Sequence, residues 1–423
     1  MTLSHRDKNL IWHPFTQEKT SGFPIAIKKG HGSYVYDENG KSYLDLISSW
    51  WVNLHGHCHP EIASKIYQQA QTLEHVMFAG FTHEPAVSLC ENLQKILPQE
   101  LNKFFFSDNG STSIEVAIKM AYQYWHNQGE VQKKYFISFE GGYHGDTFGS
   151  MSIGHKSGFH NHFKDLFFKV LSVPFPDTWK DDESVKTREN QAIEILENYI
   201  KKYSNEIVGL VIEPMVQGAS GMRMCSQTFM KKVCDICKQN QILIIFDEVM
   251  TGFGRTGKNF AFEHIGITPD FICLSKGLTG GFLPLALTVT KDFIYKAFLN
   301  DDWNYTFTHG HSYTANPIAC ASALASLEIL ERPTTKQSIE NINKAHNDGI
   351  SYLSDCKIEK SRILGTICAF EIDNVKHYQK LFTENGMIIR PLGNTVYLIP
   401  PYCIDYSTII SVYARLKQIF TSH

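Results

Sequence analysis

The sequence lacks several things, and each absence removes a class of function. No apolar run approaches the ~20 residues that a bilayer-spanning helix needs. Neither sign of charge dominates: 40 Lys and Arg stand against 43 Asp and Glu, a formal net charge of −3. Such a balance gives no electrostatic footprint for nucleic acid. The opening Met1-Thr-Leu-Ser-His-Arg-Asp-Lys-Asn9 has no apolar core of a secretion signal. The expectation is therefore a cytoplasmic protein with neither membrane nor nucleic-acid partner, whose ten cysteines are free thiols. Internal repeats and low-complexity tracts are absent too. Cys234-Asp-Ile-Cys237 has CxxC spacing, but no second CxxC follows and it lies within a helical pattern over 228–239. A half-buried helix face explains it better than a zinc site. His55-Gly-His57-Cys58-His59 brings imidazoles close together, yet no carboxylate or distant histidine pattern completes a ligand set. No metal is expected.

What is present describes a large globular chain. Its 423 residues are 43% hydrophobic and 20% charged, enough for a substantial core in roughly two to three domains. The stretch from Ser33 to Asp45 reads as two short alternating strands around an Asn39-Gly40 turn, a hairpin signal. Residues 60–73, 84–97, 110–126, 228–239 and 318–330 carry helical spacing, with 331–338 as a linker. Residues 103–107, 134–139, 207–212, 242–247, 271–274 and 284–290 read as strands. Near the end, Met387-Ile-Ile-Arg-Pro and Thr395-Val-Tyr-Leu-Ile-Pro read as a hairpin turned at Gly393-Asn394, with Arg390 interrupting its apolar face.

The chemistry concentrates where buried strands end. Ile242-Leu-Ile-Ile-Phe-Asp-Glu-Val249 is nearly all apolar until Asp247, as in a central parallel strand. Phe271-Ile-Cys-Leu-Ser-Lys-Gly-Leu-Thr-Gly-Gly281 ends on Lys276 and opens at once into glycines. Ligands in open α/β sheets bind at the carboxyl edge. An acid and a lysine ending two such strands suit a cofactor whose ring nitrogen needs an anion and whose aldehyde needs an amine, which is pyridoxal phosphate. Ser107-Asp-Asn-Gly-Ser-Thr112 precedes a helix and offers amides and hydroxyls to a phosphate. Glu140-Gly-Gly-Tyr-His-Gly-Asp146 presents Tyr143 and His144 on a glycine-spaced loop. Trp50 and Trp51 can wall a flat ligand. Arg390 suits a bidentate carboxylate.

Asp247-Glu-Val, Gly252-Phe-Gly-Arg-Thr-Gly257 and Ser275-Lys276-Gly together resemble the class III (ω-type) pyridoxal-phosphate aminotransferases, over nearly the whole chain. The resemblance implies an α/β fold of type I. It has a large domain built on a mostly parallel seven-stranded sheet flanked by helices, and a smaller α+β domain. The implied division is 1–60 (N-terminal part of the small domain), 61–315 (large cofactor-binding domain) and 316–423 (C-terminal small domain). It implies Lys276 as Schiff-base lysine and proton carrier, Asp247 beside the pyridine nitrogen, Tyr143 at the ring, and Gly110 and Ser111 on the phosphate. Gly310, His311 and Ser312 are implied to reach the phosphate and substrate of a neighbouring subunit in a homodimer. Trp50 and Trp51 are implied to line the substrate pocket, with Arg390 on the acceptor carboxylate and Arg255 on the donor side.

Within the class, Trp12-His-Pro, Ser48-Ser-Trp-Trp51, His75-Val-Met-Phe78, Gly142-Tyr-His-Gly-Asp-Thr147, Val216-Gln-Gly218 and Arg390-Pro carry a closer match. It is to members that aminate 8-amino-7-oxononanoate in biotin biosynthesis by a ping-pong reaction. The expected donor is S-adenosylmethionine, with lysine as the alternative. Many relatives using S-adenosylmethionine have tyrosine where this chain has Phe15, whereas relatives using lysine can carry phenylalanine there. Gly310-His-Ser-Tyr leans toward lysine and the tryptophan pair toward S-adenosylmethionine. Another ω-aminotransferase, acting on ornithine, 4-aminobutyrate or a diamine, is the alternative.

Overall fold

Six of the apolar runs, joined by Val170–Val173, which the sequence did not mark, pair into one sheet in the computed structural model of the chain, which describes residues 1–155 and 157–422. Across the sheet the strands run Leu101–Ser107, Ala286–Lys291, Phe271–Leu274, Leu243–Asp247, Ile207–Ile212, Tyr135–Phe139 and Val170–Val173. Ala286–Lys291 is antiparallel to both neighbours, and the other pairings are parallel. The central strands Ile207–Ile212 and Leu243–Asp247 are buried along their whole length. Helices cover both faces of a parallel sheet, so its strands read as continuous apolar runs instead of alternating ones. The helix Gly110–Asn127 packs on the sheet through Ile114, Ala117, Ile118 and Ala121. Gln227–Gln239 turns Phe229, Met230, Val233, Cys234 and Cys237 inward. The CxxC is thus a core face, and all ten cysteines are unpaired.

A second, four-stranded sheet joins the two ends of the chain. Ile27–His31, Tyr34–Asp37 and Ser42–Asp45 form an antiparallel meander, and Met387–Ile388 adds to Ser42–Asp45 in parallel. A third sheet, Glu359–Leu364, Ile367–Glu371 and Thr395–Leu398, is antiparallel and packs with the helices Pro333–Gly349 and Tyr406–Ser422.

Two expectations about the C-terminal region fail. Residues 331–338 are not a linker: a helix begins at Pro333 and runs to Gly349. Proline at a first helical position costs nothing, since its missing N–H would have no partner there, so Pro333 starts an element instead of breaking one. The segments at 387 and 395 do not form a hairpin either. Met387–Ile388 joins the sheet of the N-terminal strands and Thr395–Leu398 joins the third sheet. Arg390 therefore lies in the connection beyond the short strand, not within it. The helix Pro317–Leu330 packs against Pro60–Thr72, Glu84–Ile96 and the turn at Lys276–Thr279.

Candidate active site

The carboxyl ends of Leu243–Asp247 and Phe271–Leu274 open into a cavity of about 700 Å3, lined among others by Asn109, Gly110, Ser111, Tyr143, His144, Asp247 and Lys276. Asp247 is only 4% exposed. Its Oδ1 accepts the Val249 N–H (3.1 Å) and its Oδ2 lies 2.7 Å from Nδ1 of His144. His144 arrives from the loop after Tyr135–Phe139 and is itself buried. Burial opposes its charged form, but the hydrogen bond and charge of Asp247, joined by Glu213, outweigh that and raise its pKa above the ordinary imidazole value. Glu213, at the end of the neighbouring strand, accepts the N–H of Tyr143 (3.0 Å) and of Gly218 (2.9 Å). Burial, with Asp247 adding repulsion and His144 opposing, raises its carboxyl to about 7.

Lys276 occupies the first position after Ser275 with φ +44°, in the left-handed region. Its amine has no hydrogen-bond or ion-pair partner among the described residues and sits 4.7 Å above the ring of Trp51. Burial lowers its pKa, Asp247 and Glu213 oppose the shift, and Arg255 adds to it. A desolvated, unpaired lysine facing an acid is a group held ready to exchange protons or to react as a neutral amine.

The start of the long helix forms the far wall. Asn109 caps it reciprocally with Thr112, leaving the amides at Gly110 and Ser111 without partners inside the helix. The Tyr143–Thr147 loop comes close enough for Thr147 N–H to donate to Ser111 Oγ (3.0 Å). Gly145 permits the approach: φ is +121°, and a Cβ there would stand 2.3 Å from Cβ and Oγ of Ser111. Tyr143 is oriented at its far end, where its hydroxyl donates to Asp146 Oδ2 (2.9 Å) and His160 Nε2 lies 2.9 Å from the other carboxylate oxygen.

A second cavity of about 1140 Å3 shares Trp51, Val52, Tyr143 and Lys276 with the first as lining, and adds Phe15, Trp50, Phe159 and Arg390. Both tryptophans stand on a single left-handed turn. Ser48, Ser49, Trp50 and Trp51 have φ of +51°, +53°, +94° and +73°. None is glycine, and such residues cost roughly 1–2 kcal/mol each in left-handed geometry. Trp51 donates to Tyr397 Oη (3.2 Å). Trp50 meets Phe15 edge-on at 5.6 Å and lies 4.4 Å from the Arg390 guanidinium. Arg390 makes no ion pair among the described residues, so its hydrogen-bonding fork is open to an anion.

Four expected residues lie elsewhere. Arg255 is not in either cavity. It is 1% exposed and its guanidinium donates to the main-chain oxygens of Pro400 (2.9 Å), Asn53 (3.0 Å) and Trp51 (3.4 Å). Through Nη1 and Nη2 it braces the tryptophan turn from behind, while its Nε is buried without a hydrogen-bond partner among the described residues. Gly310, His311 and Ser312 also lie outside both cavities of their own chain. The Ser312 carbonyl accepts from His75, and Nε2 of His311 is buried without a partner. Within the histidine cluster, His55 bonds Ser326 and His57 bonds Asp45, and no group of three or more potential metal ligands exists among the described residues. The sequence reading missed the pairing of His144 with Asp247 and the position of Phe159. The first had a signal, since His144 follows a strand two places from that of Asp247.

The comparisons with known proteins match this geometry. The family model described as "Aminotransferase class-III" covers residues 15–420. The chain belongs to the class III aminotransferases. Class III aminotransferases similar to it include the adenosylmethionine-8-amino-7-oxononanoate aminotransferase of Synechococcus elongatus, 45% identical over 97% of this chain and 98% of that protein. That of Helicobacter pylori is 38% identical over 99% and 97%. Among solved structures, the adenosylmethionine-8-amino-7-oxononanoate aminotransferase of Methanocaldococcus jannaschii superposes with a TM-score of 0.91 at 35% identity, covering 99% of this chain and 98% of that one. An omega transaminase of Pseudomonas jessenii in complex with PMP gives 0.91 at 27% identity, covering 100% and 99%. Class III aminotransferases as a group depend on pyridoxal phosphate, and no helix described in this chain is long and apolar enough to cross a membrane.

Proposed function

We propose that this class III aminotransferase transfers an amino group from S-adenosylmethionine to 8-amino-7-oxononanoate, giving 7,8-diaminopelargonate for biotin, with pyridoxal phosphate as cofactor. The observation that carries the reading is a pair of adjoining cavities that share Lys276, an unpaired buried amine, with Asp247 lining the first and an unpaired guanidinium, Arg390, lining the second. The donor set fits the cofactor. The first-turn amides of Gly110 and Ser111 suit a phosphate, Asp247 a protonated ring nitrogen, Tyr143 a ring face and Lys276 an aldehyde. When bound, pyridoxal phosphate supplies an electron sink and a carbonyl that carries the amino group between substrates.

The chain's own groups do the rest. Lys276, kept toward its neutral form by burial, takes the proton from the donor carbon and returns it on the acceptor side. Asp247 would set its carboxylate against the ring nitrogen, and His144 holds that carboxylate in one orientation. Arg390 grips the terminal carboxylate of the acceptor, setting its oxo carbon toward Lys276. Trp50, Trp51, Phe15 and Phe159 exclude water and give an aromatic wall suited to an adenine or an aliphatic chain. The similarity to proteins named adenosylmethionine-8-amino-7-oxononanoate aminotransferase supports the substrates. Gly310, His311 and Ser312 are assigned to the site of a second copy in a homodimer; their absence from the linings of both cavities of their own chain supports this. The division into 1–60, 61–315 and 316–423 is proposed with one adjustment. The packing of Pro317–Leu330 onto the large unit favours a boundary just after that helix.

Two measurements test the reading. Borohydride reduction in the presence of pyridoxal phosphate should fix the cofactor on the peptide carrying Lys276; label elsewhere refutes the site. Product formation from 8-amino-7-oxononanoate should proceed with S-adenosylmethionine, and formation with lysine alone overturns the donor.

A further inference from the structure

The histidine cluster that the sequence singles out has a place in this site that the reaction does not by itself assign. We propose that His57, acting through Asp45, is a positioning residue for the two substrate-facing tryptophans. The proposal rests on the function proposed above for its kinetic readout only.

The left-handed turn Ser48–Trp51 has no glycine to ease it, so side chains from outside the turn must hold it. Asp45, fully buried at the end of the strand Ser42–Asp45, supplies two of those contacts. Its Oδ1 accepts the Ile47 N–H at 3.2 Å, at the entrance to the turn. Its Oδ2 accepts the Ser49 hydroxyl at 3.0 Å, inside the turn. The same oxygen lies 2.9 Å from His57 Nε2. A carboxylate taken out of water needs a partner that fixes it, and His57 is the ionisable side chain bonded to it. His57 is fixed in turn. Its N–H donates to the Gly32 carbonyl (2.7 Å), and its Cβ sits against Gly30, where an added methyl would stand 2.7 Å away.

The chain of contacts therefore runs from the N-terminal meander through His57 and Asp45 to the turn, and from the turn to Trp51 beneath Lys276 and Trp50 beside Arg390. His57 touches neither cavity. What it sets is the direction of the tryptophan rings, and with it the fit of the acceptor, not the proton transfer.

The test uses the holoenzyme and the variants His57→Ala, His57→Gln and Ser49→Ala. Gln places an amide donor near the position of Nε2 and should restore the bond to Asp45. His57→Ala should raise KM for 8-amino-7-oxononanoate about tenfold, with kcat held within about twofold. His57→Gln should recover most of the loss, and Ser49→Ala should show a smaller rise. The near-ultraviolet circular dichroism of the tryptophans should change in His57→Ala and return in His57→Gln. Should His57→Ala fail to fold, Ser49→Ala decides by the same two readouts. Unchanged KM and unchanged aromatic dichroism in His57→Ala, or in Ser49→Ala where His57→Ala does not fold, overturn the proposal, as does a fall in kcat at constant KM. The dichroism needs no substrate. A protein that does not aminate 8-amino-7-oxononanoate would refute the proposed reaction and still leave the role of His57 decided.

Discussion

Glu213 offers a quantitative check on the electrostatics of the site. It is 5% exposed and bridges two walls of the cavity, one oxygen accepting from Tyr143 N–H and the other from Gly218 N–H. Burial lifts its pKa from 4.5 to about 7. A carboxyl raised on folding contributes stability that is fully present below its unfolded pKa and is lost as pH rises through the folded value. The shift of roughly two and a half units corresponds to about 3 kcal/mol, spent between pH 4.5 and 7. Glutamine in its place does not titrate, so that slope should vanish.

The substitution has its own cost. Two backbone N–H groups now share one carbonyl oxygen, and the second faces an NH2 group, a loss of about 1–3 kcal/mol at every pH. Glu213→Gln should therefore be clearly less stable than the parent at pH 4.5, and the difference should shrink or reverse above pH 7. The assay is urea unfolding of the cofactor-free protein at half-unit pH steps, with midpoints of parent and variant compared. Parallel curves across the range would show that Glu213 titrates normally and would refute the argument. A deficit that grows with pH would mean that the carboxylate, not the acid, is the stabilised form.

Three further outcomes follow from the same geometry. Asp247→Asn keeps an acceptor for Val249 N–H and a donor toward His144, so the apo fold should survive, but the buried charge is gone. A loss of about 3–5 kcal/mol predicts turnover reduced some 10²–10⁴-fold, and near-full activity would contradict the assignment. Arg255→Lys strands carbonyls among Pro400, Asn53 and Trp51. It should cost about 2–4 kcal/mol of unfolding free energy, measured in denaturant, whereas a donor-binding role would raise KM at unchanged stability. Phe15→Tyr adds a hydroxyl at the mouth of the second cavity, beside Trp50 and Phe159. It should raise kcat/KM for S-adenosylmethionine severalfold while leaving KM for the acceptor unchanged, as read from initial rates.

The parts of this molecule legible in its sequence share a physical cause. Leu243–Asp247 and Phe271–Leu274 are buried on both faces, so their apolar runs mark them, and a charge that ends such a run has to face a cleft. Lys276 and Asp247 stand out in this way, and the Gly110 helix start stands out by the polar turn before it; the structure brings all three to one cavity. The failures share a cause too. Met387–Ile388 and Thr395–Leu398 look like a hairpin because a turn signal, Gly393-Asn394, separates them. Their partners come from residues 42–45 and 367–371, and pairing across such distances leaves no local trace. Arg255 sits in a glycine-rich loop that looks exposed, yet the three carbonyls it satisfies belong to segments at 51–53 and 400. A main-chain acceptor can be any residue type, so no pattern announces it.

The tryptophan turn is the least legible element and the most instructive. Left-handed backbone is ordinarily signalled by glycine, asparagine or aspartate, and Ser48-Ser-Trp-Trp51 contains none of them. The turn is stable because Asp45, Ser48 and Arg255 reach it from both sides. Ser48 Oγ donates to the Ile399 carbonyl at 2.7 Å, while Asp45 and Arg255 bond the entrance and exit. The strain is therefore carried by the packing of three chain segments, 45–57, 253–257 and 397–402, each of which also borders the cavity or its brace. The division of labour follows. The chemical groups stand on strand ends, where burial sets their protonation and the sheet sets their spacing. The groups that shape the substrate space stand on a strained turn whose geometry is decided elsewhere. Substitutions at Asp45 or Ser48 should accordingly change which substrates fit before they change how Lys276 reacts. A variant of either that lowers kcat with every substrate at constant KM would show that the two functions are not separated in this way.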